Sequence, residues 1–98
     1  MISDVTTETF QIDVLAAEEV CVLFGLCGDP GSFSAQQLLK ISTVDAFFVD
    51  VDREPQITMK YDVRGAPSVF VFRKGMVALT LNGLEAITAY LNDYQRPV

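Results

Sequence analysis

The segment "VCVLFGL", Val20 to Leu26, is a continuous apolar run containing β-branched residues. A strand with one wet face alternates polar and apolar residues. An unbroken apolar run instead belongs to a strand covered on both faces. A second segment, "DAFFVDVD" from Asp45 to Asp52, is apolar over its first half. Between the two, Leu38, Leu39 and Ile41 supply the apolar side of a helix. Two buried strands joined through a helix must run parallel, with a right-handed crossover.

The other elements follow from shorter signals. Phe10, Val14 and Ala17 recur at helical spacing with Leu15 beside them, which predicts a helix from Thr6 to Glu18. The middle helix has two candidate starts. Asp29-Pro30 offers a capping carboxylate followed by a first-turn proline. Ser34-Ala35-Gln36-Gln37 offers a capping box. Pro55 to Tyr61 forms a short helix. Ser68–Arg73 and Met76–Leu81 form a hairpin across Lys74-Gly75. Asn82 is placed to cap the last helix, whose inner stripe is Leu84, Ile87 and Leu91. The order α-β-α-β-α-β-β-α predicts an α/β fold in three layers, a mixed central sheet of about four strands flanked by helices. The 98 residues contain no repeat or linker, so residues 1–98 are expected to form a single domain.

Charge and composition exclude several functions. The chain has 13 acidic and 7 basic residues, a net charge of −6. Nucleic acid and anionic membrane select basic faces, so neither is expected as a partner, and another protein is. No apolar run approaches the roughly 18 residues of a spanning helix. No signal-peptide pattern opens the chain, and the expected location is cytoplasmic. The sequence has no histidine, which removes Cys/His zinc sites and Ser-His or Cys-His nucleophile pairs. Asp50, Asp52 and Glu54 lack the glycine and terminal glutamate of a calcium loop. They are read as a solvated strand end, and neither metal nor cofactor is expected.

The two cysteines are Cys21, inside the first strand, and Cys27, just past it. Six extended residues cover roughly 20 Å, so a disulfide between them would break the strand. Cys21 is expected in the core. Cys27 precedes a helix start, where the helix dipole and free amides favour a thiolate, although Asp29 opposes this. Two readings stand for Cys27: a small residue packing at a strand end, and a nucleophile.

From Asp50 to Met76 the chain is "DVDREPQITMKYDVRGAPSVFVFRKGM". This resembles the thioredoxin family: a strand ending in Asp, a Pro-led short helix, a Tyr-x-Val-Arg-Gly-x-Pro loop, an apolar strand and a Lys-Gly hairpin turn. The first helix, the central strand and the last helix also match in kind, so the resemblance covers nearly the whole chain. Arg64-Gly65-Ala66-Pro67 is its specific part. It implies a cis peptide before Pro67, against the ordinary alternative of a trans proline in a turn. It also implies that Ala66 offers its backbone to an extended partner segment.

The same resemblance exposes departures. The family's Cys-x-x-Cys is absent. A gap-free register sets Asp29-Pro30-Gly31-Ser32 on the motif, with Asp and Ser replacing both cysteines. Closing two residues instead sets Cys27 in the nucleophile's place and Pro30 in the resolving place. A dithiol reductase needs a second thiolate to release the mixed disulfide, and neither register supplies one. Leu23 and Phe24 stand where the family has a buried Asp, and Thr80 where it has a groove glycine. The resemblance therefore implies an atypical, redox-inactive thioredoxin-like protein, an adaptor or chaperone binding through the cis-Pro groove. Its candidate binding residues are Gly28, Asp29, Pro30, Gly31, Ser32, Ala66, Pro67 and Thr80. The alternative is a monothiol thiol-disulfide oxidoreductase with Cys27 as catalytic nucleophile. Exposed apolar residues and a trimmed second helix would also permit a homodimer.

Overall fold

The computed structural model describes residues 2–94. Its elements are β1 (Ile2–Asp4), α1 (Thr7–Phe10) continuing into a π-helical segment (Gln11–Leu15), β2 (Glu19–Gly25), α2 (Pro30–Ile41), β3 (Ala46–Asp50), α3 (Pro55–Lys60), β4 (Ser68–Arg73), β5 (Met76–Asn82) and α4 (Gly83–Tyr94). The sheet has five strands in the order β1-β3-β2-β4-β5. The apolar run Val20–Leu26 forms the central strand β2. It pairs in parallel with β3, Cys21 opposite Ala46, and antiparallel with β4, Cys21 opposite Val71.

Both faces of the sheet are covered. Leu23, Val69 and Val71 pack under α2 and α4 with Leu39, Ile87 and Leu91. Val22, Phe24, Phe70 and Phe72 pack under the first helix and α3 with Phe10, Val14 and Ile57. Leu23 and Phe24 point to opposite faces and are fully buried. Burying such a side chain is worth about 1.5–3 kcal/mol. The aromatic layer is ordered by edge contacts: Phe24 meets Phe70 with ring centroids 5.1 Å apart, and Tyr61 meets Phe72 at 5.3 Å.

Local chemistry fixes the element ends. Thr6 caps α1 in a reciprocal pair with Thr9: the Thr9 N–H donates to Thr6 Oγ1 (3.3 Å), and the Thr6 N–H donates to Thr9 Oγ1 (3.0 Å). The helix then widens and stops at Leu15, short of the expected Glu18, because the chain must enter β2 at Glu19. Asp29 caps α2, and Ser34 lies inside that helix rather than at its start. Lys74 (φ 52°) and Gly75 (φ 81°) both adopt the left-handed conformation of a tight hairpin turn. A Cβ at Gly75 would also stand 3.0 Å from the Leu15 carbonyl oxygen, so glycine is required there twice over.

Two features lie outside the expected pattern. β1 adds a fifth strand, parallel to β3, with Ile2 opposite Ala46. It is three residues long and largely exposed, too short to show an alternation. Asn82 belongs to the end of β5 rather than serving as a loop cap, and α4 starts at Gly83.

Candidate functional site

Three loops meet at the end of the sheet where β2 finishes, β4 begins and β5 finishes. The first runs from Leu26 into α2. Gly28 takes φ 88°, which lets the chain reverse after Cys27. Asp29 then stands at the helix N-terminus. Its Oδ2 accepts from the Ser32 N–H at 2.8 Å and from the Ser32 hydroxyl at 2.9 Å. The Ser32 oxygen in turn accepts from the Leu26 N–H at 3.0 Å. Ser32 is buried, and its hydroxyl is fully engaged between strand end and helix start. A Cβ at Gly25 would lie 2.9 Å from both Ser32 Oγ and Phe48 Cε1. Glycine at the end of β2 is what admits the serine.

The second loop carries the cis Ala66–Pro67 peptide. Ser68 anchors it: the hydroxyl donates to the Gly65 carbonyl at 2.8 Å and lies 3.1 Å from Asn82 Oδ1. The third loop is the turn into α4. The Gly83 N–H donates to the Pro67 carbonyl at 3.0 Å, and Gly83 has φ 86°.

Gly31 joins the first loop to the second. A Cβ there would be 3.3 Å from Pro67 Cδ and 3.4 Å from Asp29 Oδ2. The structure therefore brings Gly31 to Pro67, with Asp29 Oδ2 beside Gly31. Ala66, Pro67, Gly31 and Gly83 are half-buried, and Pro30, Gly65 and Asn82 form an exposed rim. The result is a partly exposed surface of small residues and backbone around Pro67.

The exposed Cys27 lines a cavity of about 360 Å³ with Asp29, Pro30, Phe33, Gln36 and Phe48, and a neighbouring one of about 400 Å³ with Asp4, Asp50, Arg53 and Glu54. Neither cavity is lined by any residue of the Arg64–Pro67 loop. Cys27 therefore shares a cavity with the start of α2 and with Phe48 of β3, and Pro67 lines neither cavity. Cys21 is a free, buried thiol. Burial pushes it up to about 12, with Glu19 adding to the rise and Arg73 opposing it. It carries no nucleophile at neutral pH.

Thr80 is not brought to the groove. It pairs with Phe70 inside the hairpin, whereas Asn82 pairs with Ser68 next to Pro67. The residue whose N–H donates to the Pro67 carbonyl is Gly83, three positions further on. The acidic cluster is locally engaged as well. Asp50 Oδ1 accepts from the Asp52 N–H at 3.0 Å. Glu54 Oε1 accepts from the Thr7 N–H at 2.7 Å and the Thr7 hydroxyl at 2.9 Å, tying the first helix to α3. Among the described residues no group of three or more His, Cys, Asp or Glu side chains is placed to hold a metal, and no helix is long and apolar enough to cross a membrane.

Strand order, helix placement and the loop meeting at Ala66–Pro67 define a thioredoxin-like fold. A similar solved structure is human ERp44 in a zinc-bound form, a thioredoxin-fold protein, with a TM-score of 0.79 and 21% identity over 96% of this chain. The chain spans 30% of the length of that protein. No protein-family model matches the sequence, and no curated protein matches it.

Proposed function

We propose that this chain is a redox-inactive thioredoxin-like adaptor or chaperone. It binds an extended segment of another protein in the groove formed by Gly31, Ala66, Pro67 and Gly83. The observation that carries this reading is the contact of Gly31 with Pro67 beside the Asp29–Ser32 hydrogen-bonded clasp. The place where a dithiol would work holds a carboxylate, a glycine and a locked hydroxyl. Backbone groups remain available there: Ala66 can pair with an incoming strand, and small side chains leave it room. The acidic balance of the chain, −6 overall, favours partners with basic or neutral surfaces. A cytoplasmic location fits the thiols being free.

A second reading is a monothiol oxidoreductase, favoured by one observation: Cys27 is an exposed free thiol beside a helix start. Turnover would then rely on an external thiol to resolve the mixed disulfide.

Chemical-shift mapping with a set of extended, neutral-to-basic peptides tests the proposal. Shifts centred on Gly31, Ala66 and Gly83, unchanged in Cys27→Ser, support the adaptor. Shifts centred on Cys27 and lost in Cys27→Ser overturn it in favour of the monothiol reading.

A further inference from the structure

We propose that the cleft between the first helix and α3 is a binding site for a small aromatic carboxylate. The ring body lies on Phe10, Ile57 and Tyr61, and the carboxylate meets Lys60. The site is separate from the surface around Pro67 and does not depend on it.

The cleft has a volume of about 320 Å³ and is lined from both helices. That is room for about ten waters at a liquid volume of ~30 Å³ each, the size of a one- or two-ring molecule. From α3 it takes Gln56, Ile57, Lys60 and Tyr61, two pairs one helical turn apart and so a single face of that helix. From the first helix it takes Phe10, Gln11 and Leu15. Gln11 and Leu15 bracket the π-helical segment, a widened turn of the kind that recurs at functional sites.

The floor is apolar and fixed in place. Phe10 and Ile57 are buried. The Tyr61 ring centroid stands 5.5 Å from that of Phe10, 6.3 Å from Phe70 and 5.3 Å from Phe72. These ring contacts hold its plane, so an incoming ring meets a surface already formed. The rim is polar and uncommitted. The side-chain amides of Gln11 and Gln56 have no hydrogen-bond partner among the described residues, and Lys60 forms no ion pair among them. The Lys60 Nζ lies 5.7 Å from the Tyr61 ring centroid, which sets the cation beside the apolar floor. An apolar floor with a few convergent polar groups is the general make-up of a small-molecule site.

Charge selects the head group. The chain carries −6 overall, yet among the described residues Lys60 is the one charged side chain that lines this cleft. Glu54, the carboxylate that ties the same two helices together, is engaged by the Thr7 N–H and hydroxyl. An ammonium at the edge of an apolar floor favours a carboxylate over an amine on the same ring body. The glutamine amides at the rim are donors suited to its second oxygen.

Indoleacetate, indoleacetamide and tryptamine share a ring body and differ in head-group charge. Titrating each into the isotope-labelled chain, with backbone amide shifts as the readout, tests the proposal. Indoleacetate is expected to shift Gln11, Gln56, Lys60 and Tyr61 saturably. It should bind at least about tenfold more tightly than tryptamine, with the amide between them. Lys60 is exposed on α3, so Lys60→Gln keeps the fold, which circular dichroism verifies. That variant should bind the acid no better than the amide and leave the amide affinity unchanged, whereas Lys60→Arg should keep the preference for the acid. Absence of saturable shifts at these four amides up to about 10 mM indoleacetate overturns the proposal. So does an acid that binds wild type no more tightly than the amide, and so does a preference for the acid that survives in Lys60→Gln.

Discussion

Gly31 packs against Pro67 so closely that a methyl group on the glycine would reach to 3.3 Å of the proline Cδ. The contact spans two loops that are 36 positions apart, and it fixes which residues of the α2 start face the cis peptide. Pro67 is in turn held from the other side by the Gly83 N–H at 3.0 Å. The groove is thus built from two glycines and a cis peptide, with Asp29 and Ser32 behind them.

Filling that contact should separate binding from stability. Gly31 lies in the first turn of α2, where alanine gains up to about 1 kcal/mol in helix propensity. The tight approach to Pro67 offsets the gain. Gly31→Ala is expected to fold within about 1 kcal/mol of wild type and to bind extended peptides at least tenfold more weakly. Denaturant titration and peptide binding by fluorescence anisotropy check the two halves.

The clasp beneath the groove makes a different prediction. Ser32→Ala leaves the Leu26 N–H and one Asp29 lone pair without their partner, at a cost of about 1–3 kcal/mol. Gly25→Ala drives a methyl to 2.9 Å of Ser32 Oγ and Phe48 Cε1, a crowding cost of about 1–3 kcal/mol. In Gly25→Ala/Ser32→Ala the two methyl groups replace one methyl against one hydroxyl, and the costs should be non-additive by at least about 0.5 kcal/mol. Urea midpoints of the three variants measure this.

Placing sulfur at both ends of the clasp that flanks Gly31 should introduce chemistry. Asp29→Cys/Ser32→Cys sets two thiols one helical turn apart at the start of α2. The variant loses the Asp29 cap, at about 1 kcal/mol, and is expected to gain disulfide reductase turnover. Cys27→Ser in that background should leave the gain intact, since neither cavity lined by Cys27 is lined by Pro67.

Cys21 sets an alkaline limit. Burial pushes its thiol from the ordinary 9.0 up to about 12 in the folded chain. Below 9 both folded and unfolded chains hold the proton, and the associated stability is complete. Between 9 and 12 the unfolded chain releases it and the folded chain does not, so stability falls by about 1.4 kcal/mol per pH unit. Cys21→Val removes this slope, and the difference between the two urea titrations across that window measures it. At pH 8 a thiol probe should modify one cysteine per native chain, Cys27, and two once the chain is unfolded.

The legible parts of this fold were those with dense local signals. The runs Val20–Leu26 and Asp45–Asp52, and the Lys74-Gly75 turn, specify parallel strands and a hairpin because burial on both faces demands continuous apolar sequence. β1 was not legible, since a three-residue edge strand needs no pattern of its own. The start of the last helix after Asn82 was legible, and β5 runs one residue further than read, to Asn82, because its ladder to β4 extends to Ser68. The loop motif around Arg64–Pro67 located the site, whereas the direction of Cys27 depended on the φ of Gly28 and could not be read from residue types. The Thr7–Glu54 bonds likewise join residues 47 positions apart with no local signal.

The most direct measurement is insulin disulfide reduction by the wild-type chain and by Cys27→Ser, with dithiothreitol or glutathione as electron donor. With Cys21 buried and no second accessible thiol to resolve a mixed disulfide at Cys27, neither protein should accelerate the reaction beyond donor alone. Turnover by the wild-type chain that disappears in Cys27→Ser would contradict the adaptor reading and establish monothiol catalysis instead.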